Sequence, residues 1–272
     1  MSKKIVSLPS FNAVAAGQTA TIELPANGTY HQLLLTYTTD TVGNENQVNM
    51  EAELTEFRLK VNGKVQRVFS AAQIFAINAF KGFPFATGLV PIFFAEPWRR
   101  AVQGEDVLAW GMGDVDTFQL EVVIDAGAIN PTLKAIAVKT NDSPPMGPIV
   151  KMRRFTIGVS AIGIRNVTQL PKFDSYYALH AFSAVIDDVE VKIDQEEVFK
   201  ATLAQVAEVE GWYGRTQQAG LFTVDFDYTN RAADALSMVK AGGGRVSDFR
   251  VDYNMNTATT FTLLTETLGL RD

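Results

Sequence analysis

The sequence of 272 residues contains no cysteine, which excludes a disulfide framework and every thiolate metal centre. It contains two histidines, His31 and His180, too few for the imidazole cluster of a cupin-type metal site. Acidic residues outnumber basic ones by 30 to 24, for a formal charge of −6. A chain built mainly to hold nucleic acid carries the opposite sign. No window has the length and apolarity of a membrane span. The apolar run after the opening Met-Ser-Lys-Lys is too short for a secretory signal, so a soluble chain that stays where it is made is expected. There is no Gly-x-Ser-x-Gly elbow. The loose turn Ala241-Gly-Gly-Gly-Arg245 lacks the Lys-Ser/Thr of a phosphate loop.

What is present is repetition. Leu24-Pro25 and Leu170-Pro171 stand 146 residues apart, as do Tyr30 and Tyr176. Downstream, Phe57-Arg-Leu-Lys-Val-Asn62 resembles Val189-Glu-Val-Lys-Ile-Asp194 at an offset of 132, which Gly88/Gly220 and Phe94/Phe226 keep. Phe118-Gln-Leu-Glu-Val122 and Phe249-Arg-Val-Asp-Tyr253 follow at 131. A collinear series with a nearly constant offset marks a long-period duplication. The single jump in offset places one longer loop in the first half, Asp40 to Glu56. Between the halves, Asn141 to Phe155 holds three prolines and a glycine and reads as an extended connector. The expected organisation is a domain at 1–140, a Pro-rich linker at 141–155 and a second domain at 156–272, each with apolar residues enough for its own core.

Within the halves the period is two. Phe57, Leu59 and Val61 alternate with Arg58, Lys60 and Asn62, which predicts a half-buried strand. Asn62-Gly63 then supplies a two-residue hairpin turn. An extended arm at Val6–Phe11 and strands at 19–24, 30–39, 65–69, 88–95, 118–125 and 133–140 complete the first half. Ser70 is placed to cap a helix running to Phe80. The second half repeats the order: a strand at 189–193, a turn near Gln195-Glu196, and a helix carrying Phe199, Leu203, Val206 and Ala207 on one face. Strands at 221–229, 249–255 and 261–268 follow. Short helical stretches are expected at Trp98-Arg99-Arg100 and at 231–236. Regularly spaced short strands with few helices predict an all-β protein of two antiparallel sandwiches.

Few residues suggest chemistry. The loop Asp40–Glu56 holds Asp40, Glu45, Glu51, Glu53 and Glu56 and no basic residue. Hard cations take oxygen ligands, but the spacing fits no EF-hand loop, and a solvated acidic loop is expected. Asp225 and Asp227 share a strand face opposite Phe222, Val224 and Phe226, as calcium or glycosidase chemistry could use. Outward polar positions of an alternating strand explain them equally. Trp98, Trp110, Trp212 and Tyr213 are candidates for a glycan-binding or packing surface, and Phe83, Phe85, Trp98 and Trp212 for a lateral interface. No catalytic residue and no required cofactor is identified. Metal ligands stay undetermined, with a structural calcium or other cation compatible with the composition.

Two eight-stranded halves in tandem resemble the double jelly-roll major capsid proteins of tailless icosahedral viruses that enclose a membrane, and within them the corticovirus type. The residues that carry the resemblance are Leu8-Pro-Ser-Phe-Asn-Ala-Val-Ala-Ala-Gly17 with Ile22-Glu-Leu24, Leu133-Lys-Ala-Ile-Ala-Val-Lys139, and Met152-Arg-Arg-Phe155. The resemblance implies two tandem jelly-roll sandwiches and a structural rather than catalytic role. It further implies a homotrimeric capsomer of hexagonal outline, contacts with neighbouring trimers and a vertex (penton) protein, and a virion assembled from chains made in the host cytoplasm. It places the N-terminal arm near an internal membrane, where Lys3, Lys4, Lys151, Arg153 and Arg154 would meet acidic headgroups. The alternative from another class is a carbohydrate-binding tandem β-sandwich.

Overall fold

The computed structural model of the chain describes residues 2–99, 101 and 104–272. It falls into two compact units. One comprises Met1–Ala79, Phe83–Met152 and Leu270–Asp272, the other Phe80–Gly82 and Arg153–Gly269. Among the described residues no helix is long and apolar enough to cross a membrane.

In the first unit the strands are β1 (Lys4–Ser7), β2 (Thr19–Leu24), β3 (Thr29–Thr38), β4 (Leu54–Val61), β5 (Lys64–Phe69), β6 (Leu89–Phe93), β7 (Trp110–Gly111), β8 (Phe118–Ile124) and β9 (Thr132–Thr140). Helix α1 (Gln47–Glu53) precedes β4, and α2 (Ala71–Phe80) follows β5. One sheet runs β1-β9-β3-β6, with the two-residue β7 added to β3, and the other runs β5-β4-β8-β2. Setting β7 aside, the first strand lies beside the eighth, then the third, then the sixth. The remaining four make the second sheet, and this order is that of a jelly roll. Alternation does what the sequence demands of it: Phe57, Leu59 and Val61 are fully buried. Opposite them Arg58 lies across from Glu121, and Lys60 also reaches Glu121. Ser70 and Gln73 cap α2 reciprocally, Ser70 Oγ accepting from Gln73 N and Gln73 Oε1 from Ser70 N.

The second unit contains β10 (Ile149–Ile157) from Arg153 onward, then β11 (Gly163–Val167), β12 (Ser175–Phe182), β13 (Ile186–Ile193), β14 (Glu196–Thr202), β15 (Phe222–Asp225), β16 (Phe249–Met255) and β17 (Phe261–Gly269). Helix α3 (Leu203–Gly211) joins β14 to β15. The sheets run β10-β17-β12-β15 and β11-β16-β13-β14, again first-eighth-third-sixth. The fold is therefore all-β, a double jelly roll.

Matched residues perform matched tasks. Tyr30 Oη donates to Pro25 O at 2.8 Å and Tyr176 Oη to Pro171 O at 2.7 Å. Each tyrosine packs on the phenylalanine that opens the seventh strand, Phe118 at 5.2 Å and Phe249 at 4.7 Å. Asn62 Oδ1 accepts from Asp116 N and Thr117 N, and Asp194 Oδ1 accepts from Ser247 N and Asp248 N.

Several expectations need correction. Of the linker expected at 141–155, Ile149 to Phe155 lies within β10, with Ile149, Val150 and Met152 buried. The breakers end at Pro148, and nothing beyond it prevents pairing. The second hairpin turns at Asp194-Gln195, both with positive φ, one residue before the expected place. Phe199 belongs to β14 rather than to a helix, because Thr202 and Gln205 form a capping box that starts α3 at Leu203. The strand expected at 221–229 ends at Asp225. Short 3-10 turns occupy Pro97–Arg99 and Ala232–Asp234, while Arg100 lies outside the described residues. The loop Asp40–Glu56 is not solvated throughout. It forms α1, capped by Asn46, with Met50 and Glu53 buried. Glu53 accepts from Tyr37 Oη at 2.6 Å and from Thr41 Oγ1.

Phe80–Gly82, although encoded in the first half, belongs to the second unit, where Phe80 O accepts from Thr216 N and the next residue, Lys81, is ion-paired. Its Nζ lies 3.0 and 2.8 Å from the two oxygens of Glu266, a buried residue of β17. His180 on β12, fully buried, bonds Thr223 Oγ1 at 2.9 Å, and its Nε2 is 3.8 Å from Glu266. Burial alone would raise the Glu266 pKa. Lys81 and His180 override it and hold the carboxyl far below the ordinary carboxylate range. Removing one member of a buried pair leaves the other charge uncompensated. Lys81→Met should therefore cost about 3–5 kcal/mol in urea unfolding, and the Lys81→Met/Glu266→Leu double variant clearly less. A single variant as stable as the parent would contradict this assignment.

Candidate functional site

The surface features that could carry function are aromatic. In the first unit Phe83, Phe93 and Trp98 form a half-buried cluster, with ring centroids 4.8 Å apart for Phe83–Phe93, 6.1 Å for Phe83–Trp98 and 5.9 Å for Phe93–Trp98. The turn that presents Trp98 is fixed by the buried pair Arg99–Glu96 at 2.6 Å. Phe85 packs edge-on against Phe75 at 5.0 Å. In the second unit Trp212, 71% exposed, and Tyr213 follow α3, and Tyr213 meets Tyr228 at 5.1 Å. Trp110 does not join these surfaces. It is fully buried against Phe94 and Phe118, beneath the guanidinium of Arg67 at 5.1 Å, and so offers no face to a sugar.

Asp225 and Asp227 are not outward either: both are buried, as is Thr223. The face opposite the core is covered by polar side chains from the end of α3 and the segment after it. Arg215 Nε donates to Asp225 Oδ2 at 2.9 Å, and its second nitrogen donates to Asn230 Oδ1 at 3.0 Å. Glu210 accepts from Asp225 N at 3.0 Å and from Gln217 Nε2 at 2.6 Å. Burial first, and the Asp225 charge second, push the Glu210 pKa up to about 8. Glu210, Arg215 and Gln217 form no sequence motif. The one hint was the pair Asp225/Asp227, which period two assigned to solvent.

His180 has a hydroxyl and a carboxylate beside it in Thr223 and Glu266, but all three side chains are buried away from any substrate. His31 bonds Asp106 through Nδ1 at 2.8 Å, and Asp106 also pairs with Lys3 at 2.8 Å. Burial lowers the His31 pKa despite Asp106. Its Nε2 is buried without a hydrogen-bond partner, so no hydroxyl stands where a Ser-His-Asp nucleophile would. Among the described residues no three His, Asp or Glu side chains come together to hold a metal ion. In the acidic loop, Asp40 accepts from Asn130, Glu45 from Thr39 N and Glu51 from Gln47, while Glu56 pairs with Arg58. Of the basic residues expected at a membrane surface, Lys4 and Arg154 are exposed, and Arg153 lies over the Phe173 ring at 5.2 Å. Lys151 is buried, bonded to Leu270 O at 2.9 Å and Asp272 at 3.0 Å within the first unit, so it cannot contact headgroups.

Glu210 makes the pH dependence of stability testable. In the folded chain it keeps its proton to about pH 8, whereas in the unfolded chain it ionises near 4.5. Folding thus binds the extra proton between these values, and this contribution to stability is lost as pH rises from 4.5 to 8. The melting temperature of Glu210→Gln minus that of the parent should increase steadily from pH 5 to 8. A difference independent of pH would show that Glu210 is already ionised.

Family models match the chain twice: the viral coat protein P2 N-terminal domain over residues 5–140 and the viral coat protein P2 C-terminal domain over residues 149–270. The major capsid protein P2 of Pseudoalteromonas phage PM2 is 25% identical over 236 residues, covering 82% of each chain. The crystal structure of the major capsid protein P2 from bacteriophage PM2 superposes with a TM-score of 0.88 at 21% identity, over 100% of this chain and 98% of that one. A structure of Sulfolobus turreted icosahedral virus follows with a TM-score of 0.71 at 12% identity, over 98% and 91%. The PBCV-1 virus capsid gives 0.66 at 9% identity, over 98% and 93%. With both of its domains present in order and nearly end to end, the chain belongs to the viral coat protein P2 family.

Proposed function

We propose that the chain is a major capsid protein that builds an icosahedral shell from homotrimers of hexagonal outline. The observation that carries this is the repeated strand order. Both units close as jelly rolls with the same first-eighth-third-sixth sheet. Three copies of a two-lobed subunit present six near-equivalent lobes, the shape that tiles a hexagonal net, and cyclic symmetry makes their lateral contacts self-consistent. The Phe83–Phe93–Trp98 cluster and the Trp212–Tyr213 edge provide apolar surface of the kind that such lateral contacts cover. The role is structural, not enzymatic.

Neighbouring trimers and a vertex protein would be the other partners, and Lys3, Lys4, Arg153 and Arg154 the side chains for an internal membrane with acidic headgroups. Synthesis in the host cytoplasm suits a chain without cysteine. The carbohydrate-binding alternative is not favoured: of its four aromatic candidates Trp110 is buried and Trp98 is engaged by two phenylalanines, which leaves Trp212 and Tyr213.

An obligate interface on the order of 2,000 Å² or more is expected within the trimer. Light scattering of the purified protein should give about three times 29.8 kDa, and salt should dissociate contacts between trimers before those within them. A monomer at micromolar concentration would overturn the proposal.

A further inference from the structure

Beside α3, the second unit has a half-open cavity of about 460 Å³. Phe199, Val206, Val209 and Tyr228 wall it, and Glu210 and Asp225 lie at its buried end. The volume falls in the range of small-molecule sites, about 300–1,000 Å³. Lys200 at the rim is half exposed and directed to Glu190 and Glu197, at 3.7 and 3.9 Å.

The charges within are unequal. Asp225 has its counter-ion in Arg215, at 2.9 Å. Among the described residues Glu210 accepts from the neutral donors Asp225 N and Gln217 Nε2. A carboxyl with no cation in contact, set at the end of an apolar and aromatic cavity, is complementary to a positive group on an apolar body. We infer that this cavity is a binding site for a small organic ammonium, its charged end at Glu210 and its hydrocarbon against Phe199, Val206, Val209 and Tyr228. Arg215 is already matched by Asp225, and Lys200 is turned to Glu190 and Glu197, so an anion finds no uncommitted counter-charge here. A neutral guest would leave Glu210 as it is. An ammonium would ionise it, because an opposite charge in contact favours the charged form over the effects of burial and of Asp225. Binding is thereby tied to the release of a proton, given the raised Glu210 pKa of about 8. The charged groups around Glu210 are Asp225, Arg215 and, at the rim, Lys200.

The test is calorimetric titration of the full chain, in its native oligomer, with n-hexylammonium chloride at pH 6 and pH 7. Each pH is run in two buffers of different ionisation heat. About one proton should be released per amine, with affinity rising roughly tenfold between the two pH values. Hexan-1-ol, which has the same body without the charge, should bind at least about tenfold more weakly. Val209→Trp fills the cavity without touching a bond of Glu210 and should abolish binding while preserving the melting curve. Glu210→Gln should bind weakly and without proton release. No binding at millimolar amine, equal binding of the alcohol, or binding that survives Val209→Trp would each overturn the assignment.

Discussion

A one-residue slip in a strand turns every buried side chain to solvent, so a sandwich stands or falls by its register. In this chain one turn side chain in each jelly roll holds that register. Asn62, between β4 and β5, accepts two backbone N–H groups at the entrance to β8. Asp194, between β13 and β14, does the same at the entrance to β16. The hairpin and the strand beside it are thus tied at one end, and the core alternation of Phe57, Leu59 and Val61, or of Val189 and Val191, follows inward. The tyrosine bonds to Pro25 and Pro171 fix the neighbouring corners in the same way. Duplication has kept these anchors even where the surrounding residues differ.

These devices explain what could be seen in the sequence. Tyr30, Asn62 and Phe118 recur as Tyr176, Asp194 and Phe249 at nearly constant spacing, because each does the same work in its roll. Period two and the turn pairs between strands brought out both sandwiches and the order of their elements. Hidden from such patterns was any side chain whose environment is made by distant residues. Lys81 and Glu266 lie 185 positions apart, and nothing local announces their pairing. Lys151 looked like surface charge until Leu270 and Asp272 supplied its partners. Asp225 and Asp227 obeyed the alternation of a half-exposed strand, yet α3 and its following segment cover that face. Glu53 was one acid among several, and its burial against the hydroxyls of Tyr37 and Thr41 distinguishes it. Proline composition marked the break between β9 and β10 but not where pairing resumes, because β10 begins directly after Pro148.

The buried polar groups show two solutions to the same cost. Glu266 is kept charged by a cation brought from another part of the sequence, whereas Glu210 avoids the cost by keeping its proton. The two terms bend stability with pH in opposite directions. Glu266 contributes stability above its unfolded value of 4.5 that is lost as pH falls below it, and the Glu210 contribution is lost as pH rises from 4.5 toward 8. Stability of the second unit is therefore governed by polar groups as well as by its apolar core.

The central claim is that duplication of one jelly roll serves a hexagonal building block made from three chains. Electron microscopy of the purified protein in negative stain tests it most directly. Class averages viewed down the particle axis should show a six-lobed hexagonal outline with threefold symmetry. Isolated two-lobed particles, or rings of any other symmetry, would contradict it.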